Sequence, residues 1–252
     1  MSKKIIYFVP LITVLLFWEL SASLSKKINF LFASPSSIII KFIEKIGNGE
    51  LIEHSYITGL EAFSGLVLGV TIGSFIGFAL LYYPSVSKIA KPYIFGLSAI
   101  PIFGIAPMMI MWFGTDFSMK VAMAFFSTVF VSILQAYEGG KNVDKEALKY
   151  FELNLATRKQ KFTKLILPSS MSWVIQSLRL NSGLAILGAF IGEFIAAEKG
   201  LGYIMLRAGG VYDIPYVLAA IICIILITLF FNLLVGMIEK RKLSIIRMFA
   251  IG

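Results

Sequence analysis

Long apolar stretches separated by short polar segments run along this chain of 252 residues. A helix needs about 20 mostly apolar residues to cross the roughly 30 Å hydrocarbon core of a bilayer. Six stretches meet that requirement, at residues 5–24, 57–81, 92–113, 119–137, 170–196 and 214–238. The alternating segments of about ten residues that are typical of membrane barrels do not occur. The pattern therefore predicts an all-α, polytopic membrane protein with about six transmembrane helices.

The composition supports a membrane location and excludes other classes. Hydrophobic residues make up 58% of the chain and charged residues 15%, with a mean hydropathy of +0.86, whereas soluble domains carry about 25% charged residues. The net charge of +9 is spread in small groups between apolar runs, so we expect no nucleic-acid partner. One cysteine and one histidine leave no intrachain disulfide, no cysteine metal site and no histidine cluster.

The basic residues predict an orientation. With the N-terminus in the cytoplasm, 15 Lys and Arg residues fall inside and 7 outside, and Arg179 lies within the fifth span. Because cytoplasmic loops are enriched in Lys and Arg, we expect both termini to be cytoplasmic. The first apolar run could be read as a signal peptide cleaved near Ala22, but the Trp18-Glu19 interruption favours an uncleaved anchor.

The external connection, residues 25–56, contains the first sign of local structure. Ser34 has the character of a helix cap, and Pro35 suits the first helical turn. The apolar periodicity that follows predicts a short helix lying on the membrane surface.

The cytoplasmic connection, residues 138–168, is basic and amphipathic. Its pattern predicts two short helices that are split near Asn154, the second ending at Pro168. Such a segment either lies on anionic lipid or protrudes as a lever toward a cytoplasmic partner.

Two spans carry unusual small or helix-breaking residues. Prolines break the third span at Ile100-Pro101 and Ala106-Pro107, which marks either a transport pathway or a simple kink. On the second span, glycines at a spacing of four form one face and favour close helix packing, namely Gly65, Gly69, Gly73 and Gly77.

Charges inside a membrane are costly and are therefore functional candidates. Glu19 and Glu61 lie near the outer ends of their spans, where we interpret them as structural. Arg179 either faces a cavity and attracts an anionic solute or holds an interhelical contact. Glu193, followed by Gly200-Leu201-Gly202-Tyr203, is expected to shape an external gate.

Several short motifs occur in a characteristic order: Trp18-Glu19-Leu20, Ser34-Pro35-Ser36, Ile100-Pro101, Ala106-Pro107, Trp112-Phe113-Gly114, Leu165-Ile166-Leu167-Pro168 and Gly200-Leu201-Gly202-Tyr203. With these motifs the chain resembles the permease subunit of a binding-protein-dependent ABC importer with the type I fold. It is most similar to the branch for nitrate, sulfonate, taurine and thiamine precursors.

In that family the cytoplasmic loop contains Glu-Ala-Ala, three residues, Gly, nine residues, then an aliphatic residue, any residue and Leu-Pro, and it forms a coupling helix seated in the ATPase. Counting back from Pro168 puts the family glycine at Leu155 and Glu-Ala-Ala at 149–151, and this sequence differs at all four positions. The resemblance nevertheless implies that residues 138–168, hereafter the coupling segment, contact the ATPase. The expected contact residues are Glu152, Leu155, Ala156, Thr157, Arg158 and Pro168.

The resemblance further implies one permease domain over 1–252, with its core at 57–238, in the bacterial inner membrane. It would import a small anionic or heterocyclic solute together with a second permease copy, two cytoplasmic ATPase subunits that hold ATP and Mg, and a periplasmic or lipid-anchored solute-binding protein. The resemblance places no cofactor, metal or catalytic residue in this chain.

Two other functions agree less well with the sequence than an importer does. A self-contained secondary transporter or channel is disfavoured because the halves have no evident inverted repeat. An intramembrane enzyme is disfavoured because no Ser/His or paired-carboxylate constellation occurs. The chain also has no Gly-rich phosphate loop that would bind ATP.

Overall fold

The computed structural model describes residues 9–196 and 198–250, with side chains up to residue 240. All regular secondary structure in these ranges is helical. In chain order the elements are α1 (Val9–Leu24), α2 (Lys26–Phe32), α3 (Pro35–Gly47), α4 (Glu50–Tyr82), α5 (Pro84–Ser98), α6 (Ile102–Phe113), α7 (Phe117–Lys141), α8 (Lys145–Leu153), α9 (Arg158–Lys161), a π-helical turn (Phe162–Ile166), α10 (Leu167–Ala196), α11 (Leu201–Gly210) and α12 (Ile214–Ala250).

The predicted all-α membrane class is confirmed, and the count of six spans is approximate. Four stretches are long and apolar enough to cross a membrane: α4, α7, Arg158–Ala196 and Ile214–Lys240. Helices α5 and α6 meet the length and hydropathy requirement only as a pair, which is bent by 94°, and they make a fifth span if they cross the membrane as one. The first predicted span corresponds to the shorter apolar helix α1, and residues 5–8 of that prediction lie outside the described residues.

The bend between α5 and α6 follows from proline chemistry. Pro101 has an extended backbone (φ −62°, ψ 123°) and precedes the first residue of α6. Because proline cannot donate a backbone hydrogen bond, the helical ladder is interrupted here. The second predicted break is wrong: Pro107 lies inside α6, which continues through it. Losing one hydrogen bond in the second turn of a packed helix does not end that helix.

Helices α4, α7 and α10 pack most extensively and form the centre of the bundle. The glycine face of α4 lies directly on α7, where a Cβ atom at Gly73 would be 2.6 Å from the Cβ of Ser132. The residues of α7 that meet this face are small, namely Ala124, Thr128, Ser132 and Ala136. The two backbones therefore approach too closely for any side chain at the four glycines.

A buried polar contact joins α7 to α10 near the middle of the bundle. The amide of Asn181 donates to the hydroxyl of Ser132 at 3.0 Å and to that of Ser177 at 2.9 Å. All three side chains are buried. Such interhelical bonds hold spans together where apolar burial offers little preference between helix and lipid.

The predicted start of α3 is confirmed in detail. Ser34 caps the helix with a reciprocal capping box, and Pro35 occupies the first turn. Glu19 of α1 accepts hydrogen bonds from the backbone nitrogen of Ser36 at 2.9 Å and from its hydroxyl at 2.7 Å. A carboxylate at a helix N-terminus is favourable for the helix dipole, so the contact supports the structural interpretation of Glu19.

Candidate functional site

The end of the bundle away from the coupling segment is organised around Glu193 near the end of α10. Only 1% of Glu193 is exposed. Its Oε1 accepts from the hydroxyl of Thr58 on α4 at 2.6 Å, and its Oε2 accepts from the backbone nitrogen of Gly202 at 2.7 Å. One buried carboxylate thus connects α4, α10 and α11.

The same region satisfies the free backbone donors at the start of α11. The backbone nitrogen of Gly200 donates to Nδ1 of His54 at 2.8 Å, and that of Leu201 donates to the hydroxyl of Thr58 at 2.9 Å. Together with the bond from Gly202, three successive N–H groups find partners on α4 and α10. We call His54, Thr58, Glu193 and Gly200–Gly202 the distal junction.

Two glycines make the distal junction possible. Gly200 has φ +104°, a conformation that side chains rarely adopt, and a Cβ atom there would overlap the Glu193 carboxylate. A Cβ atom at Gly202 would lie 2.6 Å from the carbonyl oxygen of Phe190. Glu193 and the glycines that follow it, which the sequence suggested as an external gate, are therefore in direct contact in the structure; their role as a gate stays a prediction.

Further charged side chains surround the distal junction. Glu61, two turns beyond His54 on α4, lies beside the Glu193 carboxyl group. The buried ammonium of Lys120 donates to the carbonyl oxygen of Thr115. On the surface, Lys199 pairs with Glu53 at 2.8 Å, and this carboxylate raises the pKa of Lys199 above its ordinary value.

At the opposite end of α4, the coupling segment turns through a Schellman motif after α8. The backbone nitrogen of Ala156 donates to the carbonyl of Phe151 at 3.0 Å, and that of Leu155 donates to Glu152 at 3.0 Å. Leu155 occupies the left-handed position of the motif with φ +52°. Glycine is the usual residue there. The loop therefore has the backbone conformation that suits the glycine expected from the family pattern, although leucine occupies the position.

The second half of the coupling segment is attached to α4. Thr157 and Gln160 form a capping box that starts α9. The guanidinium of Arg158 donates to the carbonyl oxygen of Tyr82 and lies 4.7 Å from the centre of its ring. The Phe162 ring packs edge-on against the same ring at 5.1 Å. Tyr82, the last residue of α4, is therefore contacted by two residues of the coupling segment.

The predicted helix end at Pro168 is wrong. Helix α9, the π-helical turn and α10 are continuous from Arg158 to Ala196. In the π-helical turn the backbone nitrogen of Leu167 donates to the carbonyl of Phe162, five residues earlier. This wider turn directly precedes Pro168, and such a local adjustment allows a helix to continue past the missing proline donor.

The tip of the coupling segment exposes apolar side chains. Leu155 is 90% exposed, and Tyr150 and Leu153 are also largely exposed. Behind them, an ion pair of 3.3 Å between Glu152 and Lys161 joins the two legs of the segment. Exposed apolar groups on a basic protrusion are typical of a protein-binding surface.

The structure does not bring Arg179 to the distal junction or to the coupling tip. Its guanidinium donates to Glu239 on α12 at 3.0 Å, and both side chains are about half exposed. Of the two interpretations of Arg179, the interhelical contact is the one observed.

A cavity of about 380 Å³ lies beside the bend between α5 and α6. Its lining is almost entirely apolar and includes Ile100, Trp112 and Phe126. Ser98 and Ser127 are the hydroxyl-bearing residues of the lining, and both hydroxyls already donate to carbonyls of their own helices. Neither Pro101, which marks the bend, nor Pro107 is part of the lining.

Sequence reasoning missed His54, Thr58 and Tyr82, which complete the two regions. His54, Thr58 and Glu61 follow each other at helical spacing on one face of α4, and this polar row at the start of an apolar span was the available signal. Tyr82 gave no such signal. Within 9–196 and 198–240, no group of three His, Cys, Asp or Glu side chains is placed to hold a metal ion.

Comparison with known proteins gives consistent matches over most of the chain. The family model described as "Binding-protein-dependent transport system inner membrane component" matches residues 69–244. The Formylaminopyrimidine transport permease protein ThiX of Halalkalibacterium halodurans is 29% identical over 213 residues, which cover 82% of each chain. The Riboflavin transport system permease protein RibX of Chloroflexus aurantiacus is 28% identical over 232 residues, 92% of this chain and 87% of the relative.

A solved structure matches at the level of the fold. An inward-facing MetNI methionine ABC transporter aligns with a TM-score of 0.67 over 77% of this chain and 96% of its own chain. At 13% identity, this likeness concerns the path of the helices.

Proposed function

The chain belongs to the family of inner membrane components of binding-protein-dependent transport systems, and from this premise we propose how it transmits force. As the permease subunit of an ABC importer, it is not itself an ATPase, and it works with separate ATPase subunits and a solute-binding protein. In our proposal, movement of the ATPase at the coupling segment reaches the distal junction through α4 and through the helix that begins at Arg158.

The ATPase applies force to the chain at the tip formed by Tyr150, Leu153 and Leu155. These exposed side chains seat in a cytoplasmic ATPase, and the Glu152–Lys161 ion pair keeps the two legs of the segment together. Because Arg158 contacts Tyr82, displacement of the tip acts on the end of α4 as well as on its own helix. A stiff connection of this kind supports two-state coupling between separate sites.

The force is transmitted to the distal junction, which lies on the external side of the membrane in this proposal. Thr58 is 24 residues before Tyr82, about 36 Å along α4, and Glu193 is 35 residues after Arg158, about 52 Å along its helix. A shift of α4 relative to α10 stretches the Thr58–Glu193 bond and alters the anchoring of Gly200–Gly202. Helix α11 then acts as the external gate that the sequence suggested for Gly200 and Gly202.

We further propose a heterocyclic solute over a strongly anionic one. The cavity beside Pro101 offers aromatic and aliphatic surface and no basic side chain, and Arg179 is engaged by Glu239. Two relatives are named as transporters of formylaminopyrimidine and riboflavin, which are heterocycles. A stacking surface suits such rings, because aromatic side chains favour flat partners.

The assembly and its orientation complete the proposal. Both termini are cytoplasmic, in agreement with the excess of basic residues on that side, and a second permease copy, in a homodimer, completes the pathway. ATP and Mg are held by two partner ATPase subunits. The membrane is the bacterial inner membrane, with lipid around the outward faces.

The observation that carries this function is that the exposed apolar tip belongs to a segment that is attached to Tyr82 at the end of α4. Deleting residues 155–161 should release the ATPase from the purified complex while the chain still inserts in the membrane. Replacing Glu146, an exposed residue of α8, by Ala is the matched control and should leave the complex intact. Unchanged ATPase association after the deletion would contradict the coupling role.

Transport provides an independent check. Solute uptake into proteoliposomes that contain the whole assembly should stop when the partner ATPase is inactivated. Uptake by this chain alone, driven by a proton or sodium gradient, would refute the ABC mechanism in favour of a secondary carrier.

A further inference from the structure

Two buried carboxyl groups lie side by side at the distal junction. Glu193 is 1% exposed and Glu61 is 3% exposed. Glu61 follows Thr58 by three residues on α4, so their side chains are neighbours on one face of the helix, and Thr58 contacts Glu193 directly. The carboxyl groups of Glu61 and Glu193 are within hydrogen-bonding reach of each other. Because an ionised carboxylate can only accept, such a bond requires that one of the two groups carries a proton.

The charges around this pair also require a proton. The ammonium of Lys120 on α7 is buried, donates to the carbonyl oxygen of Thr115, and is close enough to act on both carboxyl groups. Asp116, Glu198 and Lys199 line the adjoining cavity, but they are exposed to water. Two ionised carboxylates beside one buried ammonium would leave an unbalanced charge away from water, which is strongly unfavourable. One shared proton makes the buried group neutral overall.

The hydrogen bonds of Glu193 identify the group that holds the proton. Both of its oxygens accept, Oε1 from the hydroxyl of Thr58 at 2.6 Å and Oε2 from the backbone nitrogen of Gly202 at 2.7 Å. A separation of about 2.5 to 2.7 Å is typical of a hydroxyl that donates to a charged carboxylate. By contrast, no N–H or O–H group in the described structure donates to the buried Oε2 of Glu61. These contacts make Glu193 the carboxylate and Glu61 the carboxylic acid.

We propose that Glu61 is a positioning residue, whose protonated carboxyl group donates a hydrogen bond to Glu193 and so holds the carboxylate that anchors α11. The proposal rests on the proposed function in one respect, namely that α11 acts as the external gate. Loss of the proton places two like charges next to each other in a buried site. Their repulsion separates α4 from α10 and weakens the anchoring of Gly202.

Infrared spectroscopy of the purified full chain in detergent tests the assignment of the proton. At neutral pH, the difference spectrum between the original chain and Glu61→Gln should contain the carbonyl stretch of a protonated carboxylic acid, which is separate from the carboxylate bands. The matched control Glu44→Gln removes an exposed carboxyl group of α3 and should lose carboxylate bands only. A Glu61→Gln spectrum that lost only carboxylate bands would overturn the proposal.

Unfolding measured as a function of pH counts the same proton. Free glutamate side chains ionise at about pH 4.3, so at neutral pH the unfolded chain has released a proton that the native chain retains. The equilibrium constant for unfolding should therefore rise about tenfold for each pH unit, relative to that of Glu61→Gln. The comparison cancels the titration of His54 and Lys199, which both proteins contain. Parallel curves for the two proteins would contradict a proton on Glu61.

Rescue by glutamine separates the role of a donor from that of a space-filling group. Glu61→Gln keeps a donor in a side chain of the same length, so it should fold, and its failure to fold would count against the proposal. Glu61→Leu keeps the volume and loses the donor, so its unfolding constant at neutral pH should be at least about tenfold larger than that of Glu61→Gln. Equal unfolding constants for the two variants would show that the donor has no role.

Uptake by the assembled transporter tests the link to the gate. Uptake by the original complex should fall as the external pH rises above neutrality, whereas uptake by the Glu61→Gln complex should change less over the same range. Identical pH profiles, with the infrared and unfolding results as expected, would overturn the role of this proton in the gate. Neither the spectrum nor the unfolding measurement involves transport, so both remain valid tests if the proposed function fails.

Discussion

The two ends of α4 make different kinds of contact. At the distal end Thr58 donates a hydrogen bond to the buried carboxyl group of Glu193, whereas at the other end Tyr82 accepts one from Arg158 of the exposed coupling segment. At the distal junction the hydrogen bonds of Thr58 and Glu193 are buried, so losing one partner leaves another buried group unsatisfied. In the coupling segment water replaces any lost partner. Changes at the distal junction should therefore act on folding, and changes in the coupling segment should act on transport.

Replacing Glu193 by Ala should give the largest effect. Two hydrogen bonds to a buried carboxyl group are lost, and the unfolding free energy should fall by about 3 to 5 kcal/mol. Denaturant unfolding in detergent micelles measures this change. Glu198→Ala, an exposed carboxylate five residues further on, is the control and should change stability by about 0.5 kcal/mol or less.

Gly200→Ala tests whether the backbone at the distal junction needs glycine. The added Cβ atom meets the Glu193 carboxylate in a left-handed conformation, so we expect a loss of about 2 to 3 kcal/mol in the unfolding free energy. Gly209→Ala, in the helix α11 that follows Gly200, is the matched control, because nothing lies within 4 Å of the Cβ position of Gly209. Equal stability of the two variants would contradict the structural role of Gly200.

Arg158→Ala tests the contact between the coupling segment and α4. An exposed contact contributes about 1 kcal/mol or less to stability, so folding should be nearly unchanged. The number of solute molecules taken up per ATP hydrolysed should fall about fivefold or more, as the loss of a coupling energy predicts. Lys159→Ala should preserve this ratio, and a preserved ratio in Arg158→Ala would remove the Arg158–Tyr82 contact from the transmission route.

Leu155→Gly should give the smallest change in stability, and in the opposite direction. Glycine relieves the left-handed strain but adds freedom to the unfolded chain, so the unfolding free energy should rise by about 1 kcal/mol or less. Binding of the ATPase should weaken, because the exposed leucine is lost. Leu155→Asn, which also tolerates this conformation, should weaken binding to a similar degree; if both variants bind the ATPase fully, Leu155 is not part of the contact surface.

The sequence was most informative where structure depends on neighbours along the chain. Apolar length predicted the spans, Ser34 and Pro35 predicted the start of α3, and counting from Pro168 identified Leu155 as the glycine position. Long-range contacts were not predictable: the partners Thr58 and Glu193 are separated by 135 residues. The Pro168 prediction failed because a π-helical turn accommodates the missing donor, a choice that depends on how the whole helix is packed.

The π-helical turn at Phe162–Ile166 also sets an angular relation between the two ends of the helix that contains it. One inserted residue rotates the chain by about 100° around the axis, since an α-helix has 3.6 residues per turn. The side chains near Arg158 therefore point in a different direction, relative to Glu193, than in an uninterrupted helix. If the wide turn travels along the helix, each segment that it passes rotates by that angle, so the structure allows rotation as well as tilting to connect its two ends.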